Sequence, residues 1–362
     1  MSLNYKINSI KSNLKDKEED LTSNIINEES NKQITQKYQV SLEDHNNSPS
    51  INAPLFSPSI EDLNSYVPQM TFNLSQAQFL NVFKNQNSTR QLQKQLVGIS
   101  KKTIDKIINE LSGVFSKVIK DKNGNYFCSN LIKICSQEQR IKILKELSST
   151  IDEDCNDEFG THPIQNLIKL ASSEEEFKLI LSSFNDFTKI VLASMNQYGT
   201  YVIQKIFEHI PESIRTDFNL IFINSSCFLS RHTYGVSVVK KFIANTRNEY
   251  IVYKFLYLIM TNFVNISDNK YGNYLIQYLL EKWWNKREGQ ILKYCIVSKF
   301  NDLNKKKYSV YVCDLYLKLC SEKEKELLIA SSNYNSNKNI DDILPINEYL
   351  KKKMIFKSKK TK

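Results

Sequence analysis

From about residue 70 of this 362-residue chain, apolar positions recur at the three-and-four spacing of amphipathic helices. They do not follow the two-residue rhythm of strands. In TYVIQKIFEHI (200–210), Val202, Ile203, Ile206 and Phe207 form one stripe, which predicts a core-facing helix. Thr200 and Gln204 lie one turn apart outside that stripe, with Tyr201 beside them. FTKIVLASMNQ (187–197) reads as a short apolar helix before it. PESIRTDFNLIFIN (211–224) reads as a third helix, with Pro211 at its N-terminus, where a missing N–H costs little. No Val/Ile alternation with hairpin turns occurs, so the pattern predicts an all-α protein.

The same three-helix phrase recurs along the chain. Glycines at 124, 160, 199, 235 and 272 are spaced 36, 39, 36 and 37 residues apart. They precede NYFCSNLIKIC, THPIQNLIKLA, TYVIQKIFEHI, VSVVKKFIANT and NYLIQYLLEKW. Two further copies carry serine instead: Ser88 before TRQLQKQLVGI and Ser309 before VYVCDLYLKLC. Seven units of 36–39 residues follow. Such units cannot bury their apolar faces alone, so they predict a stacked, curved α-solenoid. Each recurring glycine is expected after the first helix, as a left-handed cap. Ser136 with Gln139, and Ser172 with Glu175, resemble capping boxes.

Composition refines this picture at the ends. Residues 1–66 are rich in Asn, Ser, Glu and Lys and lack sustained periodicity, which predicts disorder. SPS occurs there twice, at 48–50 and 57–59, as a candidate phosphorylation site or as plain spacer. Residues 67–335 read as the repeat domain, and 336–362 as a degenerate repeat or capping helix (341–356) with a basic tail. The net charge is +10, and residues 1–65 carry 6 Lys against 10 Asp and Glu. The remainder therefore carries +14, which points to a polyanionic partner or to solvated lysines. No apolar run reaches the roughly 18 residues of a membrane span, and the N-terminus has no apolar leader core. Cys128 and Cys313 share one repeat position, and Cys135 and Cys320 another. Their spacing comes from repetition, so they read as core residues in a reducing compartment rather than as metal ligands.

The polar face of the second helix has a chemical use. A flat side chain stacks on an unpaired base, and a neighbouring amide or hydroxyl hydrogen-bonds its edge. YGNYLIQ, YGTYVIQ, FGTHPIQ and NSTRQLQKQL resemble the repeats of the Pumilio/PUF family. That resemblance covers about residues 72–330. It implies a right-handed solenoid of seven to eight repeats whose concave face holds single-stranded RNA, one base per repeat, antiparallel to the protein.

Carried over by resemblance, the stacking positions are Arg90, Tyr126, His162, Tyr201, Tyr274 and Tyr311. Asn273, Tyr274 and Gln277 match the pattern for uracil. Thr89, Arg90 and Gln93 resemble the pattern for adenine, and Thr200, Tyr201 and Gln204 suit uracil. Thr161, His162 and Gln165 keep the flat residue and the amide, whereas Asn125, Tyr126 and Ser129 lose the amide. Val236, Ser237 and Lys240 have no stacking side chain and offer a charge where an amide is expected. Val310, Tyr311 and Asp314 stand where the family places a guanine-selecting triplet, with a shorter carboxylate.

The resemblance implies a monomeric, cytoplasmic regulator that binds mRNA 3′ untranslated regions and recruits translational repression or deadenylation factors. Two other readings stay open: a nucleolar relative in ribosomal RNA processing, and a protein-binding scaffold of the HEAT or armadillo kind. A solvated face without any ligand is the bland alternative. Neither a cofactor nor an enzymatic activity is expected. The four histidines form no metal motif, and neither GxGxxG nor GxxxxGK[ST] occurs. Trp283 and Trp284 read as packing between repeats.

Overall fold

The computed structural model describes residues 72–332. The 1–66 segment and the candidate eighth repeat or cap at 341–356 lie outside the described residues. Within them the chain forms twenty helices and no strand. The first two repeats are α1 (Gln76–Phe83), α2 (Gln86–Lys94), α3 (Lys101–Leu111), α4 (Phe115–Ile119), α5 (Gly124–Ile134) and α6 (Gln137–Leu147). The third is α7 (Ile151–Asp154), α8 (Thr161–Leu170) and α9 (Glu174–Ser182). The fourth is α10 (Phe187–Met195), α11 (Gly199–His209) and α12 (Thr216–Leu229). Then come α13 (Gly235–Ala244) and α14 (Glu249–Thr261), followed by α15 (Phe263–Ser267), α16 (Gly272–Trp283) and α17 (Arg287–Ser298). The seventh repeat is α18 (Phe300–Leu303), α19 (Val310–Leu319) and α20 (Glu322–Ser332). Among the described residues no helix is long and apolar enough to cross a membrane.

The second helices pack in one unbroken row, α2 on α5, then α8, α11, α13, α16 and α19. The third helices form another row, with α3 on α6, α6 on α9, α12 on α14, α14 on α17 and α17 on α20. Apolar side chains from both rows meet between them. Val202, Ile203, Ile206 and Phe207 of α11 are buried, as their spacing predicts. Phe207 lies 4.9 Å from Phe222 and 5.2 Å from Phe242 between ring centres, and Phe242 lies 6.0 Å from Phe255. These tilted and edge-on pairs stitch the fourth repeat to the fifth. Trp284 reaches Tyr316 of the next repeat at 5.9 Å. Cys128, Cys135, Cys313 and Cys320 are buried. Burial pushes the Cys135 and Cys313 thiols up to about 12.

Two arginines reach into this core and bond backbone carbonyls there. Arg215 is buried, and its guanidinium donates to the Ile210 carbonyl at 3.1 Å, to Asn219 Oδ1 at 2.7 Å and to the Asn245 carbonyl at 2.6 Å. It thereby closes the C-terminal ends of α11 and α13, whose last carbonyls have no partner within their own helices. Arg140, at the same repeat position two units earlier, donates to the Cys135 carbonyl at 3.0 Å and pairs with buried Glu176 at 2.8 Å.

Several boundaries differ from the sequence reading. Ser136 and Gln139 do form a capping box, but the second box is Ser173 with Glu176, one residue later than expected. The third helix of the fourth repeat begins at Thr216, because Pro211 opens a turn whose carbonyl accepts from the Ile214 and Arg215 amides. That helix runs on to Leu229 and supplies the first helix of the fifth repeat as well. The left-handed glycines are Gly98 and Gly113, which follow α2 and α3. The five recurring glycines have ordinary negative φ, and their role is steric.

Candidate nucleic-acid interface

The N-terminal turn of each second helix that starts at a recurring glycine is built by two recurring contacts. At Gly272 an added Cβ would sit 2.3 Å from the Ile266 carbonyl oxygen, and at Gly235 it would sit 2.6 Å from that of Leu229. In each case the oxygen belongs to the residue six earlier, at the end of the preceding helix. Only a residue without a Cβ lets the two backbones approach so closely. In the seventh repeat Ser309 turns the same approach into a bond, donating its Oγ to the Leu303 carbonyl at 2.6 Å.

The second contact is a cap three residues before the glycine. Asn196 Oδ1 accepts from the Tyr198 and Gly199 amides at 2.7 and 3.0 Å, and Asn269 Oδ1 from those of Tyr271 and Gly272 at 2.9 and 3.0 Å. Asp121 and Asp157 repeat the arrangement, and His232 Nδ1 does so at 3.3 and 3.4 Å. These side chains satisfy amides that a helix start leaves free. Sequence reasoning missed their role; the signal was the Asn, Asp or His that recurs at the head of each phrase.

The three candidate positions of each helix then separate by depth. All seven second positions face solvent: Arg90, Tyr126, His162, Tyr201, Ser237, Tyr274 and Tyr311. The four tyrosines are 48–60% exposed, unusual for rings of this size. Gln93, Gln165, Gln204, Lys240 and Gln277 are half-buried beneath them, Asp314 is exposed and Ser129 is buried. The first positions are the deepest. Thr89, Asn125, Thr161, Thr200, Val236 and Asn273 are buried, and only Val310 is partly open.

The sequence pattern placed the first residue and the glutamine together on a presented face; the first residue instead underpins the glutamine. Gln165 Nε2 donates to Thr161 Oγ1 at 3.0 Å, Gln204 Nε2 to Thr200 Oγ1 at 3.4 Å, and Gln277 Nε2 to Asn273 Oδ1 at 2.9 Å. Asn273 is itself fixed, donating Nδ2 to the Asn269 and Lys270 carbonyls at 2.8 and 3.1 Å. Asn125 makes the same pair of bonds to Asp121 and Lys122. Thr89 donates to the Val82 and Asn85 carbonyls. Each bonded glutamine is thus held in place while keeping its Oε1 and a second N–H for a further partner.

A second row of rings lies just before the helix starts. Tyr198, Tyr271 and Tyr308 are partly buried and Tyr234 is exposed. Lys270 Nζ stands 4.9 Å from the centre of the Tyr271 ring, and Lys307 Nζ 5.2 Å from that of Tyr308. Between the fourth and fifth repeats, Lys205 and Lys241 both grip Glu208, at 2.6 and 2.5 Å. Burial raises the Glu208 carboxyl, and the two lysines more than offset this, holding it below the usual carboxylate range.

This row of exposed planar groups over anchored amides, repeated on a solenoid, has counterparts among known proteins. The model of the Pumilio-family RNA binding repeat matches residues 115–148, 189–217 and 262–283. Three stretches of the chain thus match the Pumilio-family repeat. The matched stretches cover the second repeat, α10 and α11 through the start of α12, and α15 with α16 of the sixth. Solved structures share the fold. The Puf4 RNA binding domain, bound to an HO endonuclease RNA 3′ UTR recognition sequence, is 23% identical with a TM-score of 0.63, over 69% of this chain and 77% of that one. The RNA-binding domain of yeast Puf5p, bound to AAT2 RNA, is 20% identical with a TM-score of 0.62, over 74% and 76%. PUF-8 in complex with PBE-RNA is 19% identical with a TM-score of 0.60, over 75% and 80%. Comparison with the curated proteins finds no match.

Proposed function

We propose that the row of second helices binds single-stranded RNA, with successive bases laid against successive Pumilio repeats. One observation carries this reading. Six of the seven repeats expose a flat or planar side chain at one position, Arg90, Tyr126, His162, Tyr201, Tyr274 and Tyr311. Such groups stack on base faces, a contribution of about 1–3 kcal/mol per base. Stacking between side chains needs bases that are not already stacked and paired in a duplex, which favours single strands. Gln93, Gln165, Gln204 and Gln277 then meet base edges, with Thr161, Thr200 and Asn273 holding the amides of the last three. The three related domains are each described in complex with RNA, one of them with a 3′ UTR recognition sequence. We extend the proposal to mRNA: a regulator of transcripts through their 3′ untranslated regions, acting by recruited factors.

The test is selection of bound RNA from a random pool by the full chain. An enriched motif containing uracil or adenine is the expected result. Replacing Gln277 by Ala should then weaken binding to that motif by about 1–3 kcal/mol. Retention of duplex DNA in preference to the pool, or affinity that does not fall as salt rises, would overturn the reading.

A further inference from the structure

The fifth repeat interrupts the row. Ser237 stands where its neighbours present a ring, Val236 replaces the short polar residue, and Lys240 replaces the glutamine. Yet α13 packs in register between α11 and α16, so the interruption is chemical and not architectural. Lys240 Nζ lies 5.9 Å from the centre of the Tyr274 ring and 5.7 Å from that of Tyr278, both on α16. Lys282 Nζ approaches Tyr278 from elsewhere at 6.0 Å. Among the described residues no carboxylate comes within ion-pair distance of Lys240, while neighbouring Lys241 is committed to Glu208. Burial holds the Lys240 ammonium below its ordinary value, with Glu281 pulling the other way. An ammonium held against two rings and lacking an anion has an unmet preference for one.

Resting on the RNA-binding reading above, we infer that the fifth repeat grips a phosphate of the RNA backbone through Lys240 and leaves one nucleotide of the bound sequence unread. A base opposite this repeat finds no ring at Ser237, and the ammonium stands near the Tyr274 ring that would flank it. Lysine offers three N–H donors and no acceptor. Every base edge carries an acceptor it could meet, so it selects poorly among bases, whereas a phosphate oxygen answers its charge. The motif therefore has a position opposite the fifth repeat that neither ring nor amide constrains, between a stretch that meets repeats one to four and a stretch that meets repeats six and seven.

The experiment uses the full chain and the RNA recovered by selection. All four bases should occur about equally at the position between the two stretches. Lys240→Gln should make the slope of log affinity against log salt shallower by about 0.7, one phosphate contact on a single strand. The gap between wild type and variant then narrows by about fivefold over a tenfold rise in salt. Lys240→Arg should restore the slope. The pair Ser237→Tyr with Lys240→Gln should create a base preference at the free position. One base strongly enriched there for the wild type, and released by Lys240→Gln, would overturn the inference and make Lys240 a base reader. An unchanged salt slope for a folded Lys240→Gln chain would overturn it too. If the wild type binds no RNA while remaining folded by its melting curve, both this inference and its parent fail together.

Discussion

The fifth and sixth repeats share a scaffold and differ almost everywhere that a ligand would touch. Helices α13 and α16 bury the same kinds of apolar side chain, Val238, Val239, Phe242 and Ile243 in one and Leu275, Ile276, Leu279 and Leu280 in the other. Both begin at a glycine pressed against the carbonyl six residues back. On that common frame the sixth repeat carries Asn273, exposed Tyr274 and a Gln277 bonded to Asn273 at 2.9 Å. The fifth carries Val236, Ser237 and Lys240. Packing constrains the residues on the stripe and the glycine at the helix start and leaves the three triplet positions to vary, the buried first one included. Drift in the triplet therefore changes what the array recognises without changing whether it folds.

The largest effects should fall where the two repeats are alike. Gly235→Ala and Gly272→Ala should each destabilise the protein by about 2–3 kcal/mol, read by denaturant unfolding, because a Cβ must push apart two packed backbones. Similar losses would establish the shared frame; a loss at only one site would break the comparison. The next effect separates them. Tyr274→Ala should cost about 1–3 kcal/mol of RNA affinity in a binding titration, while Tyr274→Phe, which keeps the ring, should cost far less. If the phenylalanine variant lost as much as the alanine one, stacking would not be what Tyr274 supplies.

The frame was more legible in the sequence than the site. The stripe Val202, Ile203, Ile206 and Phe207 needed only helical periodicity, and its burial follows. The recurring glycines were visible too, but their function was not, because a six-residue backbone approach leaves no mark on hydrophobic pattern. A left-handed cap is the commoner reason for a glycine between helices, and that reason belongs to Gly113. The stacking positions were readable as polar gaps in the stripe. The depth of Thr200 and Asn273 was not, since an i, i+4 pair shares a face without sharing exposure. Helix ends shifted where two signals competed. Pro211 begins a turn while Arg215 bonds back to the Ile210 carbonyl, and the helix starts only after both.

The smallest effect is also the one most particular to the fifth repeat. Five other repeats cap the second helix with an Asn or Asp oxygen, which accepts amide protons across the neutral range; the fifth uses His232 Nδ1. A histidine can accept at Nδ1 only while that nitrogen carries no proton. Burial holds the His232 imidazole below its ordinary value in the fold, so the unfolded chain takes up the proton first. Stability from this cap is therefore complete above the ordinary histidine value of about 6.5 and falls as pH drops from there through the depressed folded value. The loss should be about 1 kcal/mol or less, on the scale of a single N-cap. His232→Asn should flatten that part of the pH profile in thermal melts, because it gives the fifth repeat the cap of the sixth. If wild type and variant lost stability in parallel below pH 6.5, the acid sensitivity would reside elsewhere, and the imidazole would be no weaker a cap than the asparagine it replaces.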